Sequence, residues 1–288
     1  MDDFKGKTAV VTGGASGVGR CLCEVFAKAG MNVVMADIEQ SALEAAAAEM
    51  REAGLSVTGV QADVTDPDSM AALALRSKEL YGNVHILCNN AGVGIKEAQR
   101  RIWDLTPNDW SWGYSVNVMG IANGIRAFVP MMLEHGEAGH IVNTSSGNGG
   151  LTSMPTTPIY ASTKAAVTSI TEVLNYQLQM EGAKLQAHIL FPGPHVVNTN
   201  ILNSMRNRPA ELSDGEEVGA YTSMADLVKA SGIKDMQLTE PEEVAEDCLQ
   251  GIKNKQFWIL PASEKNDKKV RDRTESILSR SNPMLGDL

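Results

Sequence analysis

Lys7-Thr8-Ala9-Val10-Val11-Thr12 runs straight into Gly13-Gly14-Ala15-Ser16-Gly17-Val18-Gly19, and a helical pattern through Val25, Phe26 and Ala29 follows until Gly30 stops it. The first six residues form a short, β-branched apolar run, the pattern of a strand buried on both faces. Strand, glycine-rich turn and helix form the context in which a helix N-terminus and free backbone N–H groups hold a pyrophosphate. The plainer reading is a tight turn with no ligand; three glycines at this spacing favour the dinucleotide. The second strand, Asn32 to Ala36, ends in Asp37, eighteen residues beyond Gly19. A carboxylate there accepts hydrogen bonds from the adenosine ribose hydroxyls and repels a 2′-phosphate. Ser16, before Gly17, and Ile38, after Asp37, bring no cation to this corner; Val18 belongs to the glycine-rich turn. NAD, rather than NADP, is the expected cofactor.

The same alternation continues along the chain. A helix (Ala42 to Ala53) precedes a third strand running to Asp63-Val64, where the acid could contact adenine. Another helix (Pro67 to Tyr81) precedes a fourth strand (His85 to Cys88). That strand opens into Asn89-Asn90-Ala91-Gly92, small enough for close approach to a ligand. A long helix from about Asp109 to His135 carries Asn117 at its middle, and Asn has poor helix propensity. From the residues alone, Asn117 is either exposed or facing a site. A fifth strand, Gly139 to Thr144, ends in Ser145-Ser146. A helix to about Glu181 and a sixth strand, Leu185 to Phe191, lead to Pro192-Gly193. A last helix (Glu242 to Lys253) and strand (Phe257 to Leu260) close the pattern. The implied fold is α/β: a doubly wound, Rossmann-type parallel sheet of about seven strands with helices on both faces. The expected organisation is one domain over residues 1–262, with an insert at about 194–238 and a charged tail at 263–288, read as an exposed or intersubunit helix.

The chain has 288 residues, 43% hydrophobic and 21% charged, with a net charge of −10. That balance suits an ordinary globular domain and argues against nucleic-acid or anionic-membrane partners. No apolar run is seen to approach the ~20 residues of a bilayer span, and no signal peptide is read at the N-terminus. Cys21, Cys23, Cys88 and Cys248 suit reduced thiols in a cytoplasmic protein, and no metal site is expected.

Tyr160-Ala161-Ser162-Thr163-Lys164 opens the helix after the fifth strand. Residues four apart share one helix face, so the phenol and the ammonium can point into one small volume. A cation beside a phenol favours phenolate, which suits proton transfer near physiological pH.

Together, Thr12-Gly13-x-x-x-Gly17-x-Gly19, Asn89-Asn90-Ala91-Gly92, Asn117, Ser146, Tyr160-x-x-x-Lys164 and Pro192-Gly193 resemble the short-chain dehydrogenase/reductase family over residues 5 to 260. The resemblance implies an NAD-dependent oxidoreductase moving a hydride to or from a carbinol carbon. It implies Tyr160 as the acid/base, and Lys164 as its cationic neighbour and a ribose ligand. Ser146 would bond the substrate oxygen, and Asn117 would hold a water linking Lys164 to solvent. Ser146 stands fourteen residues before Tyr160, where the family usually has thirteen; Ser146 is kept because it directly follows the strand. The segment after Pro192-Gly193 is two residues longer than usual, which makes Val197 and Thr199 the implied carboxamide contacts. His195 is then either near the nicotinamide or an ordinary loop residue. Residues 200–238, with Met205, Arg206, Arg208, Tyr221, Met224, Leu227 and Met236, correspond to the family's substrate-binding insert. A looser resemblance, through Trp110, Asn123-Gly124, Met154-Pro155 and Asn207-Arg208-Pro209, is to bacterial dehydrogenases of lignin-derived aryl ethers. It suggests a bulky aromatic or hydrophobic secondary alcohol or ketone, with steroid or terpenoid alcohols as the alternative. A cofactor sensor without turnover is the non-enzymatic alternative. The expected partners are the small-molecule substrate and further copies of the chain, as a homodimer or homotetramer.

Overall fold

The computed structural model describes residues 3–98, 100–215, 223–231 and 236–283. Its elements are β1 (Thr8–Thr12), α1 (Gly17–Lys28), β2 (Asn32–Asp37), α2 (Gln40–Glu52), β3 (Val57–Gln61), α3 (Pro67–Tyr81) and β4 (Ile86–Asn89). After these come α4 (Pro107–Tyr114), a π-type turn (Ser115–Met119), α5 (Gly120–His135), β5 (Gly139–Thr144), α6 (Pro158–Met180) and β6 (Leu185–Leu190). The last elements are β7 (Val196–Val197), α7 (Met224–Ser231), β8 (Leu238–Thr239), α8 (Pro241–Lys253), β9 (Trp258–Ile259) and α9 (Glu264–Ser279).

Seven strands form one parallel sheet in the order β3-β2-β1-β4-β5-β6-β9. The order reverses between β1 and β4, so the crevice at their C-terminal ends is the topological switch point where such sheets bind ligands. All five residues of β1 are buried, as expected where helices cover both faces. Alternate residues serve opposite layers. Ala9 and Val11 pack with Leu22 and Phe26 of α1, Leu43 of α2, and Cys248 and Ile252 of α8. Val10 packs with Met70 and Leu73 of α3, Phe128 and Met132 of α5, and Leu174 and Leu178 of α6.

The structure departs from the sequence expectations at several points. β3 ends at Gln61, because the Asp63 carboxylate accepts hydrogen bonds from Thr65 N and Oγ1 (both 2.8 Å) and turns the chain. The stretch Pro107–His135 is long and apolar enough to cross a membrane, with mean hydropathy 1.3, contrary to the expectation that no run comes near this length. Its apolar residues serve the core: Phe128, Val129 and Met132 pack on the sheet layer. The tail, in contrast to these departures, forms the helix α9, with no buried residue, and Arg273 donates to the Leu151 carbonyl oxygen. Within the insert, β7 pairs with β8 in a separate two-stranded sheet, and Tyr221 lies outside the described residues.

Candidate active site

The turn after β1 is built for close approach. Gly13 has φ +64°, and a Cβ there would sit 2.8 Å from the Ala91 Cα. A Cβ on Gly19 would meet the Gly13 carbonyl oxygen at 1.9 Å, so the first turn of α1 packs on this loop only as glycine. Thr12 at the end of β1 holds the other wall: its hydroxyl accepts from Asn90 N (3.0 Å) and Ala91 N (3.1 Å). At the end of β2, the Asp37 carboxylate accepts from Ala15 N (3.0 Å) and from Glu39 N (3.1 Å).

These loops open onto a cavity of about 1170 Å³ at the switch point. Thr12, Gly13, Ser16, Gly17, Val18, Asp37, Ile38, Asp63, Val64, Asn90, Ala91 and Gly92 line it, together with Ser146, Tyr160, Lys164, Pro192, Val197 and Thr199. Thr199 lies against the glycine loop, where a Cβ on Gly17 would be 3.1 Å from its Cγ2. Three of the sequence-selected residues are not on the wall. Gly19 is taken up in loop packing, Gly193 is buried against Pro261, and Asn117 lies behind the surface. His195 is exposed at the cavity edge, its backbone N–H bound to Thr239 Oγ1.

Asn117 sits in the π-type turn, where one extra residue per turn re-aims a side chain. It is fully buried: its Oδ1 accepts from Val93 N (2.8 Å), while its Nδ2 donates to Val93 O (3.0 Å) and Thr163 Oγ1 (3.2 Å). A Cβ on Gly92 would lie 3.3 Å from Asn117 Oδ1 and 3.6 Å from Lys164 Nζ, so the two side chains flank one small space.

Tyr160 and Lys164 occupy the first two turns of α6, with the Lys164 ammonium 5.5 Å from the phenol ring centroid. Lys164 is 3% exposed and donates to the Thr144 carbonyl oxygen at 2.9 Å. Burial pulls its pKa down to about 8. The Tyr160 phenol is raised above its ordinary value by burial, opposed by a hydrogen bond with Ser146 and reinforced by the nearby Glu97 charge. A neighbouring cation alone would lower the phenol, contrary to this direction; removal from water is the larger effect in the folded chain.

The two serines part company. The Ser145 hydroxyl donates to Lys164 O (3.0 Å) and lies 3.1 Å from Thr168 Oγ1, buried inside the β5–α6 packing. Both serines border the cavity, but it is Ser146 that hydrogen-bonds the Tyr160 phenol. The loop between Ser146 and α6 includes the turn Gly147–Leu151, with non-helical Asn148 and Gly149 at φ +91°.

Three features were not legible in sequence. Glu97, fully buried, accepts from Ile159 N (2.7 Å) and Tyr160 N (2.9 Å). Arg206 of the insert pairs with Glu39, two residues past Asp37, through Nη2–Oε1 (2.6 Å) and Nε–Oε2 (3.2 Å). A cation therefore does stand near the Asp37 corner, contrary to the sequence reading, although Glu39 engages it. Arg208 donates to Asp109 Oδ1 (2.7 Å) and lies 5.6 Å over Trp112, tying the insert to α4. These contacts join segments 62 to 167 residues apart, and no local pattern encodes them.

A short chain dehydrogenase family profile matches residues 7–210. The chain is 31% identical over 290 residues, all of this chain and 90% of the relative, to a C alpha-dehydrogenase of Sphingobium sp. (strain NBRC 103272 / SYK-6). It is 29% identical to a CLA biosynthesis dehydrogenase/reductase of Lactiplantibacillus plantarum, covering 98% of this chain and 97% of that one. A solved short-chain dehydrogenase/reductase from Burkholderia phymatum, in complex with NAD, superposes with TM-score 0.90 at 37% identity, each chain covered in full. With the parallel sheet, the switch-point cavity and its hydroxyl, phenol and ammonium groups, these likenesses lead to one conclusion: the chain belongs to the short-chain dehydrogenase/reductase family of oxidoreductases.

Proposed function

We propose that the protein is an NAD-dependent dehydrogenase acting on a bulky, apolar or aromatic secondary alcohol, or on the matching ketone in reverse. The observation that carries this reading is the convergence of Ser146, Tyr160 and Lys164 on the same cavity as Asp37 and the glycine loop. The residues fit a dinucleotide. Gly13 packs too closely on the Ala91 backbone for a Cβ, which brings two stretches of bare backbone together at the cavity wall, and Asp37 places a carboxylate at the end of β2. Gly13, Ser16, Gly17 and Val18 would hold the pyrophosphate, with Gly19 permitting the turn. Asp37 and Ile38 would hold the adenosine ribose, and Asp63 and Val64 the adenine. Asn90, Ala91, Gly92, Pro192, Val197 and Thr199 would border the nicotinamide half. NAD, when bound, supplies the hydride acceptor.

Tyr160 takes the proton from the alcohol oxygen during oxidation and returns it during reduction. The Lys164 ammonium, 5.5 Å from the phenol ring centroid, would stabilise the phenolate and would help hold the nicotinamide ribose. Ser146 bonds the substrate oxygen as charge develops there, an oxyanion-type role. Asn117 fixes Val93 and faces the same small space as Lys164 through Gly92, which suits it to a proton path.

Ile95, Trp112, Leu151, Met154, Leu202 and Leu227 supply an apolar wall. Together with the similarity to the Sphingobium enzyme, that wall supports a benzylic aryl-ether alcohol as the substrate class. Steroid or terpenoid alcohols are the second reading, favoured by the cavity's size. Exposed Val173, Tyr176 and Met180 on α6 support a homo-oligomer, and four buried cysteines suit the reducing cytoplasm. The test is to mix purified protein with NAD and each of these alcohol classes while following NADH absorbance. Reduction by the aryl alcohols supports the first reading and by the polycyclic alcohols the second. NAD binding with no turnover of any alcohol would leave a cofactor sensor.

A further inference from the structure

α6 begins without a cap of its own. Its N-cap residue, Thr157, makes no side-chain capping bond, because its hydroxyl accepts from Asn148 Nδ2 instead (2.6 Å). Pro158 opens the helix and has no N–H. The next two donors, Ile159 N and Tyr160 N, would be orphaned in a buried setting. Both end on one carboxylate: Glu97 Oε2 takes Ile159 N at 2.7 Å and Glu97 Oε1 takes Tyr160 N at 2.9 Å. Glu97 comes from a loop 62 residues away, is 0% exposed, and lies on the cavity wall beside Tyr160. Its loop is also tied to Asn117, which bonds Val93 through both N–H and C=O.

We propose that Glu97 is a positioning residue for Tyr160: its buried carboxyl clamps the first turn of α6 through the Ile159 and Tyr160 N–H groups and, when ionised, adds a negative charge to the cavity wall that Tyr160 shares. The clamp sets where the phenol sits relative to Ser146. The charge raises the phenol's affinity for its proton, so Glu97 works against Lys164, and the pair brackets the acid/base.

Several charged groups face this carboxylate. Tyr160 approaches from α6, Asp109 from α4, and Arg100 from its own loop. Arg100 and Arg208 neutralise Asp109 from either side, so Glu97 itself has no direct cation partner among these contacts. Burial raises its pKa to about 7, above which it is anionic. A carboxylate here is stabilised by two N–H groups and the positive end of a helix of 23 residues.

This inference rests on Tyr160 as the proposed acid/base, but its test needs no substrate. Tyrosinate absorbance of the full apo chain is followed from neutral to alkaline pH, and the Tyr160→Phe titration is subtracted to isolate Tyr160. The same subtraction is then made in a Glu97→Gln background, where the shape is kept and the charge removed. The Tyr160 midpoint should fall by roughly half to one pH unit, the size of a like charge removed at close range. In parallel, hydrogen exchange at Ile159 and Tyr160 amides near neutral pH should accelerate at least ~10-fold in Glu97→Ala. Glu97→Asp, with its charge kept but its reach shortened, should hold the midpoint yet free the amides. An unchanged midpoint in the Gln variant makes Glu97 merely structural and overturns the proposal. So does unchanged exchange in the Ala variant, which stands as a test even if alkali unfolds the chain first. Shifted midpoints with no alcohol turned over would refute the dehydrogenase reading and leave this one standing.

Discussion

Replacing Lys164 by Met should make the cofactor-free chain more stable at neutral pH while abolishing its activity. Lys164 is 3% exposed, and burial lowers its pKa from 10.5 to about 8. At pH 7 it is therefore still mostly charged in both folded and unfolded chains. A shift of ~2.5 units at ~1.36 kcal/mol each makes the buried charge cost about 3.4 kcal/mol. Met keeps the apolar stem but leaves the Thr144 carbonyl without the 2.9 Å donor. That loss costs about 1 kcal/mol. The net gain for Lys164→Met is about 2 kcal/mol. The sign follows from proton counting: between about 8 and 10.5 the unfolded chain binds more protons at this site, so wild-type stability rises with pH there. By pH ~9.5 the wild type should have recovered about 2 kcal/mol and the two curves should meet. Urea unfolding of both proteins without cofactor, at pH ~7 and ~9.5, measures this directly. A Met variant less stable than wild type at neutral pH, or parallel pH slopes for the two, would refute the reasoning.

Tyr160→Phe should abolish NADH production with the best alcohol while leaving NAD affinity, followed by titration calorimetry, nearly unchanged; substantial residual turnover would remove Tyr160 from its role. Ser146→Ala should cost on the order of 10²–10³ in kcat, and Ser145→Ala far less, because the Ser145 hydroxyl is already spent on Lys164 O. The reverse ranking in steady-state kinetics would show that Ser145 is the active hydroxyl. For cofactor choice, kcat/KM with NAD should exceed that with NADP by at least roughly 10²-fold, since a phosphate would displace ribose hydrogen bonds and meet a carboxylate. Asp37→Ala should weaken NAD, and Glu39→Gln should release Arg206 and raise efficiency with NADP by about 10-fold; equal use of both cofactors by the unmodified chain would mean that Asp37 does not face the ribose.

Local spacing carried most of the fold. The buried run Thr8–Thr12, the glycines that follow and the helix behind them are announced by a residue pattern confined to Lys7–Gly30, and the structure reproduces them nearly residue for residue. Pro67–Tyr81 and Gly139–Thr144 match the sequence reading at both ends, because Asp66 with Pro67 starts the first and two turn signals bound the second. The Tyr160/Lys164 pair was equally legible, since four residues along a helix fix a shared face whatever lies around it.

What sequence left open was the surroundings of those groups. Whether Asn117 was exposed or buried turned on a π-type turn that no propensity announces. Which serine meets Tyr160 turned on how the end of β5 packs against α6, which takes Ser145 to Lys164 O and Thr168 and leaves Ser146 for the phenol. The direction of the Tyr160 shift depends on how much water the fold removes, a property of packing and not of neighbours in the chain. Glu97, Arg206 and Arg208 act across gaps of 62 to 167 residues. Their partners are fixed only when loops from separate crossovers meet over the switch point. Short-range steric and hydrogen-bonding rules determine the elements; long-range burial and charge, set by how the elements assemble, decide the site.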